Sequence, residues 1–142
     1  MRGHIPAISI IIPAYNHATW LEQALDSVVA QSFTAWELII IDDASRDQSW
    51  KLVDAWANKH PHLAVRCFQH AHNQGAHATL NEGLSLAQGK YIAILNSDDV
   101  WYPQRLERLY KFAEQQHYDF LVTGVDFWDA HSFTKTEREP DW

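Results

Sequence analysis

The other motifs of the sequence are arranged around the stretch YIAILNSDDVWY, residues 91–102, in which an apolar run ends abruptly at a group of polar side chains. Tyr91–Leu95 is predicted to be a buried strand, and Asp98 and Asp99 follow shortly after it. Adjacent carboxylates at the end of a buried strand lose solvation and repel each other, so a cation is expected beside them. Because the local ligands are oxygens and not thiolates or paired imidazoles, the expected cation is Mg²⁺ or Mn²⁺, with a phosphate sharing its coordination sphere.

Length and composition indicate one folded domain. The chain has 142 residues, of which 46% are apolar and seven are tryptophan, so it can bury a sizeable core.

Its 11 Lys and Arg against 18 Asp and Glu give a net charge of −7, which disfavours nucleic acid or an anionic membrane surface as a partner. A single cysteine, Cys67, excludes a disulfide framework within the chain and a thiolate metal site. No run reaches the roughly 18–20 apolar residues of a membrane span, so we expect a soluble, cytoplasmic chain.

Apolar strands alternate with amphipathic helices on both sides of this stretch. The predicted strands are Ile8–Ile12, Trp36–Ile41, Ala64–Gln69, Tyr91–Leu95 and about Asp119–Phe127. The predicted helices are Ala18–Gln31, Ser45 to about His60, Ala76–Gln88 with Gly89 as its terminating glycine, and Pro103 to about His117. Strands that are apolar along their whole length are buried on both faces, so the predicted fold class is α/β, with a mostly parallel sheet and helices on both faces. We expect one domain over residues 1–130 and a polar tail over 131–142.

Polar residues fall where the predicted strands end. Ligands of open α/β sheets bind outside the carboxyl ends of the strands. The residues found there are Tyr15 and Asn16 after the first strand, Asp42 and Asp43 after the second, Asn73 and Gly75 after the third, and Asp98 and Asp99 after the fourth. Four coincidences of position favour one binding site at this edge of the sheet more strongly than any single motif does.

Each of these motifs also has a structural interpretation. Asp42–Asp43 could cap the second helix, where Ser45-x-x-Gln48 is similar to a capping box, or a carboxylate there could accept the ring N–H of a uracil or hold a ribose hydroxyl. Asn73-x-Gly75 could be only a turn. No glycine-rich phosphate loop follows the first strand, so a bound nucleotide would need a divalent metal for its diphosphate.

The histidines offer a weaker case for a metal site. His70, His72 and His77 lie close together in sequence. None has the i, i+4 spacing of a helical zinc pair, and a third ligand is not evident. Oxygen ligands at Asp98 and Asp99 therefore remain the preferred metal site.

The motifs at the predicted edge of the sheet form an ordered set along the chain. They are IIIPAYN at 10–16, IDDAS at 41–45, NQG at 73–75, and AQGKYI at 87–92, which is followed by NSDD at 96–99. This set resembles family 2 glycosyltransferases of GT-A fold, and the resemblance covers residues 8 to about 127. It implies transfer of a sugar from a nucleoside diphosphate donor, usually with inversion and usually with Mg²⁺ or Mn²⁺. A UDP-sugar is favoured only by the habit of the family.

The resemblance also implies roles for individual residues. The nucleotide pocket would be formed by Pro13, Tyr15, Asn16, Asp42, Asp43, Asn73, Gly75 and Asp98. Within it, Asp43 would contact the base and Asp98 the ribose, while Asp99, with Asp98, would hold the metal. Two departures weaken the match: Asn96 stands where the family often has Asp, and Leu80 where it often has Arg.

The catalytic base is not assigned. Inverting transfer requires a base that deprotonates the acceptor hydroxyl, and the resemblance implies that this carboxylate lies in a later part of a longer domain. We therefore expect this chain alone to transfer sugar poorly or not at all. The acceptor stays open among polysaccharides, lipopolysaccharides and glycolipids, as in cell envelope polysaccharide biosynthesis, and the expected location is cytoplasmic or at the inner face of the membrane through other segments.

Two other functions use the same residues. One is a non-catalytic module that binds a nucleotide-sugar and regulates a partner. The other is a metal-dependent phosphoesterase or nucleotidyltransferase, which would cleave within the diphosphate and not at the sugar carbon.

Overall fold

Strands and helices alternate along the chain in the computed structural model, which describes residues 5–128 and 133–137. The strands are β1 (Ile8–Ala14), β2 (Trp36–Asp42), β3 (Val65–Gln69), β4 (Tyr91–Ile94), β5 (Val125–Trp128) and β6 (Phe133–Glu137). The helices are α1 (Ala18–Val29), α2 (Ser49–Lys59), α3 (Ala76–Leu86) and α4 (Arg105–Gln116). One strand, β6, lies within the segment predicted to be a polar tail.

Strands β1 to β4 form one parallel sheet in the order β3-β2-β1-β4. The predicted α/β class with a parallel sheet is confirmed. Helices α1 and α2 pack on each other. Because crossovers between parallel strands are right-handed, the strand order places α1 and α2 on one face and α3 on the opposite face. The chain moves outward from β1 to β3 and then returns to the other side of β1. Strands β1 and β4 therefore meet at a topological switch point, which is where open sheets of this class bind ligands.

The core lies on the two inner strands. Ile10–Ile12 of β1 and Leu38–Ile41 of β2 are fully buried, and each such side chain contributes about 1.5–3 kcal/mol through its burial. Helix α3 approaches closely, since a Cβ on Gly83 would lie 2.5 Å from Cγ2 of Ile11. This packing gives the loops at the carboxyl edge a rigid base.

Tyr91–Leu95 contains the predicted strand, β4, but the prediction that this strand is buried is wrong. Ile92 and Ile94 are 42% and 46% exposed, and only Leu95, just beyond β4, is fully buried. Among the described residues β4 pairs only with β1, so it is an edge strand of this sheet. An apolar run indicates a strand, but it does not show which neighbours cover the strand.

The chain divides into two compact units, residues 1–107 and 108–142. The first contains the parallel sheet. In the second, β5 pairs antiparallel with β6, and β5 is shorter than the predicted strand Asp119–Phe127. The predicted domain boundary at residue 130 stays a prediction. No helix among the described residues combines the length and the apolar character needed to cross a membrane.

The terminating glycine of α3 was also predicted wrongly. The helix ends at Leu86, and the backbone of Gly89 does not adopt a positive φ. Gly89 instead packs against β1, where its N–H donates to Oγ of Ser9 at 2.8 Å and a Cβ would lie 2.6 Å from the backbone nitrogen of Ser9. A close approach of two backbones, and not the end of a helix, requires glycine here.

Candidate functional site

A cleft of about 410 Å³ opens at the carboxyl ends of β1 and β4, as the strand order predicts. Six of the nine residues predicted for the site line it: Pro13, Tyr15, Asp43, Asn73, Gly75 and Asp98. The sequence positions therefore converge in space as expected. Asn16, Asp42 and Asp99 do not line the cleft, and their side chains make other contacts.

Asn16 joins the loop after β1 to the loop after β2. Its backbone adopts φ 53°, its N–H donates to Oγ of Ser45 at 3.0 Å, and its Oδ1 accepts from the N–H of Arg46 at 2.8 Å. The Ser45 hydroxyl thus serves this bridge. The predicted capping box is wrong, since α2 begins at Ser49 and the Asp47 carboxylate accepts the N–H of that residue at 2.9 Å.

Asp42 is fully buried. Its Oδ2 accepts the N–H of Ser45 at 3.1 Å and so supports the turn at Ala44, which has φ 58°. Its Oδ1 has no hydrogen-bond partner among the described residues. In this structure Asp42 supports the turn from inside, and its predicted contact with a nucleotide stays a prediction.

Asp43 is the centre of a hydrogen-bond array that includes the NQG segment. Its Oδ1 accepts from the N–H of Gln74 at 2.7 Å, and its Oδ2 accepts from the N–H of Gly75 at 2.8 Å. Asn73 donates its side-chain amide to the Asp43 carbonyl at 3.2 Å. Asn73-x-Gly75 is therefore more than a turn, because it holds this carboxylate from two sides.

His70 completes the array. Its Nδ1 lies 2.7 Å from Oδ1 of Asp43, and its Nε2 lies 2.6 Å from Oε2 of Glu82. Burial alone would raise the pKa of Asp43, but the His70 ring and the amides of Gln74 and Gly75 together lower it. Asp43 is therefore ionised near neutral pH, as an acceptor of a base N–H must be.

The carboxylates after β4 differ from the prediction. They were expected to be a buried pair, yet Asp98 is 48% exposed and Asp99 is also exposed, so solvent screens their repulsion. Oδ2 of Asp99 accepts from the side-chain amide of Asn96 at 3.0 Å. Repulsion between Asp98 and Asp99 is therefore too weak to require a cation beside them.

The same residues nevertheless suit a metal that arrives with a phosphate. Mg²⁺ binds through one or two carboxylates together with substrate phosphates and retains several waters. Asp98 and Asp99 provide two accessible carboxylates with oxygen ligands only. No group of three or more His, Cys, Asp and Glu capable of holding a metal occurs in the described part of the chain, so a metal here would depend on the phosphates.

His17 lies in the cleft, although the sequence analysis did not select it. Its Nδ1 lies 2.7 Å from Oγ of the buried Ser97, and its Nε2 lies 4.0 Å from Oδ2 of Asp98. The loop after β1 is thereby joined to the loop after β4. The only sequence signal was its position directly after Asn16, and that signal carries no chemistry by itself.

Comparisons with known proteins agree on one family. The sequence model described as "Glycosyl transferase family 2" matches residues 9–141. A putative glycosyltransferase of Bacillus subtilis, EpsE, is 36% identical over 125 residues, and a putative teichuronic acid biosynthesis glycosyltransferase, TuaG, of the same organism is 34% identical over 124 residues. Each alignment covers 87% of this chain. The chain spans less than half the length of these relatives, 45% and 48% respectively.

Two solved structures share the fold. S. aureus TarS 1–349 in complex with UDP-GlcNAc superposes with a TM-score of 0.79 at 27% identity, over 90% of this chain and 37% of that one. The mannosyltransferase PcManGT from Pyrobaculum calidifontis, in complex with GDP-Man and Mn²⁺, gives a TM-score of 0.72 at 28% identity, over 84% of this chain and 34% of that one.

Proposed function

The chain belongs to glycosyl transferase family 2, and on that premise we propose that its cleft binds a UDP-sugar whose sugar is transferred, with inversion, to an acceptor hydroxyl. The observation that carries the proposal is the arrangement of the cleft. An ionised carboxylate, Asp43, is held in it by the loop after β3, and two accessible carboxylates follow β4.

Asp43 is proposed to recognise the base. Its Oδ1 accepts from two donors and its Oδ2 from one, so Oδ2 retains acceptor capacity. A carboxylate oxygen of this kind can accept the N3–H of uracil. Guanine also offers a ring N–H beside a carbonyl, so the carboxylate alone does not select uridine over guanosine; the UDP-GlcNAc complex of TarS supports uridine for this chain.

Asp98 and Asp99 are proposed to serve the sugar-diphosphate side. Asp98 would hold the ribose, and Asp99, with Asp98, would bind Mg²⁺ or Mn²⁺. The GDP-Man and Mn²⁺ complex of PcManGT supports the use of a divalent metal. Such a metal neutralises charge on a diphosphate leaving group. The protein's own part is to orient the donor, with His17 fixing the loop that carries Asp98.

The described residues are proposed to bind the donor, and the catalytic base is not among them. Inverting transfer needs a base opposite the departing diphosphate. We propose that this base lies in the part of the relatives' length that this chain does not span. The teichuronic acid relative supports a cell envelope polysaccharide as the product. The cytoplasmic side of the membrane is our proposal for where it is made.

Calorimetric titration with UDP, with and without Mn²⁺, tests the proposal. We expect binding that is strengthened by Mn²⁺ in the natural chain and that loses this metal dependence in Asp99→Ala. The matched control is Asp54→Ala, which removes an exposed carboxylate on α2, outside the cleft, and should leave both titrations unchanged. Equal binding by Asp99→Ala and the natural chain would remove Asp99 from the metal site.

Product analysis separates the alternatives. Incubating the chain, or a longer form of it, with UDP-GlcNAc and Mn²⁺ yields UDP if the bond at the sugar carbon breaks. A phosphoesterase or nucleotidyltransferase would instead release UMP or a sugar phosphate. Tight binding without any product, even with the longer form, would favour a non-catalytic binding module.

A further inference from the structure

His70 is held between two carboxylates from different elements. Its side chain is only 6% exposed. Asp43, from the loop after β2, lies at one ring nitrogen, and Glu82, from α3, lies at the other. Its own backbone N–H donates to the carbonyl of Asp42 at 2.9 Å, which fixes the position of the ring relative to β2.

This geometry suits a charged ring. A neutral imidazole has one N–H, so its second nitrogen would direct a lone pair at a carboxylate oxygen less than 3 Å away. An imidazolium donates to both. The hydrogen bond to Asp43 is the largest cause that raises the pKa of His70, burial opposes it, and Glu82 raises it further. Among the described residues, these two are the charged side chains that hydrogen-bond the ring.

The array occupies the two oxygens of the buried Asp43 carboxylate unequally. Oδ1 is occupied by His70 and by the N–H of Gln74, while Oδ2 receives only the N–H of Gly75. The ring therefore fixes the rotation of the carboxylate and leaves the acceptor capacity on the oxygen proposed to meet the base.

We propose that His70 is a positioning residue of the donor site: as an imidazolium bridging Asp43 and Glu82, it holds Asp43 in the orientation that accepts the base, so that nucleotide binding weakens when the ring loses its proton. This inference rests on the proposed function. The neutral ring can donate only one of its two hydrogen bonds. Its other nitrogen repels the carboxylate that it faces, so the ring no longer holds Asp43 and Glu82 together.

The first test is the pH dependence of UDP affinity, measured calorimetrically with Mg²⁺ between about pH 6 and pH 9. For the natural chain we expect constant affinity through the usual histidine range and a loss of about tenfold above it, the size of one lost charge-assisted hydrogen bond. His70→Gln, a neutral donor, should bind about tenfold more weakly near pH 7 and show no such step. Any pH dependence shared by both proteins belongs to UDP and Mg²⁺.

Glu82→Gln supplies a second variant, outside the lining of the cleft. It removes one of the two anions at the ring, so the step should move to lower pH. The matched control is Glu22→Gln, the same change at an exposed position of α1, which should leave the step where it is in the natural chain. A purely structural His70 would not shift a pH step in this way.

Titration of the His70 ring nitrogens by NMR reports its charge without any nucleotide. We expect deprotonation above the ordinary histidine range, at the pH of the affinity step, and at lower pH in Glu82→Gln. A ring that titrates as expected while UDP affinity stays flat would overturn the inference and leave donor binding intact. Absence of binding by UDP and GDP at every pH, with the same titration, would overturn the proposed function, and the inference with it.

Discussion

At the scale of single residues, the loops of the cleft contain backbone conformations that L-amino acids rarely adopt. Asn16 and Ala44 have φ of 53° and 58°. Asparagine tolerates this region because its short polar side chain hydrogen-bonds locally, as Asn16 does with the N–H of Arg46. Alanine has no such compensation. The position of Ala44 beside Asp43 means that strain is held next to the residue proposed to read the base.

Replacement of Ala44 by glycine should therefore stabilise the protein. Glycine adopts a positive φ without the Cβ clash, so we expect Ala44→Gly to raise the free energy of unfolding by about 0.5–1 kcal/mol after the entropy of the unfolded chain is subtracted. The same substitution at Ala55, exposed within α2, should lower it by about 1 kcal/mol. Urea unfolding of both variants measures the contrast, and a loss of stability in each would show that the turn at Ala44 is not strained.

Asn16 allows its two contributions to be separated. Asn16→Gly removes the hydrogen bond to Arg46 but keeps the backbone free to adopt its φ, whereas Asn16→Ala also adds strain. We expect Asn16→Ala to be less stable than Asn16→Gly by about 1 kcal/mol in urea unfolding. Equal stabilities would indicate that the loop changes conformation once the bridge is lost.

At the scale of elements, the turn from α3 to β4 is fixed by a buried carboxylate. Oε1 of Glu37, on β2, accepts from the Ser9 hydroxyl and from the N–H of Gln88, both at 2.7 Å, and its Oε2 accepts from Arg66 at 2.7 Å. Gly89 lies directly on β1 beside this network. The start of β4, and with it the position of the acidic loop, depends on this contact.

Gly89→Ala should accordingly disturb the sheet. The new Cβ would meet backbone atoms, at 2.6 Å from the nitrogen of Ser9 and 2.8 Å from the carbonyl carbon of Ile8, and backbone cannot move aside as a side chain can. We expect a loss of about 2–3 kcal/mol in the free energy of unfolding, as for an overpacked core. Adding Ser9→Ala should not restore it. Recovery in the double variant would assign the clash to the hydroxyl.

The elements also show what sequence reasoning can reach. The apolar runs of the first four strands predicted the parallel sheet, and the residues that follow these strands include five that line the cleft, because both depend on local periodicity and on the common edge of parallel strands. The sixth, Pro13, was predicted from the family resemblance. The exposure of β4 depends on neighbours that its own sequence does not specify. The pairing of His70 with Glu82 joins a loop to a helix face. The sequence analysis considered His70 only as one of three neighbouring histidines and did not select Glu82, because no local pattern relates the two.

At the scale of the whole molecule, stability is linked to the protonation of these networks. Asp43, Asp47 and Glu37 have lowered pKa values because hydrogen bonds to each ionised carboxylate outweigh its burial. His70 has a raised pKa because Asp43 and Glu82 favour its charged form. Folding is therefore favoured by ionised carboxylates and a protonated ring together, a combination that exists only between the two titration ranges.

The free energy of unfolding should consequently be greatest between about pH 5 and about pH 6.5, and it should decline from there as the pH rises to the raised pKa of His70. The carboxylates contribute fully above their unfolded pKa values of about 4, and that contribution is lost as the pH falls through the lowered folded values. His70 contributes fully below about pH 6.5, and its part is lost as the pH rises through its raised folded pKa. Urea unfolding across this range measures both limbs. His70→Gln should flatten the alkaline limb and reduce only the Asp43 part of the acid limb, since the lowered pKa values of Glu37 and Asp47 do not depend on His70. An unchanged alkaline limb in that variant would assign the linkage to another group, since the glutamine side chain does not titrate.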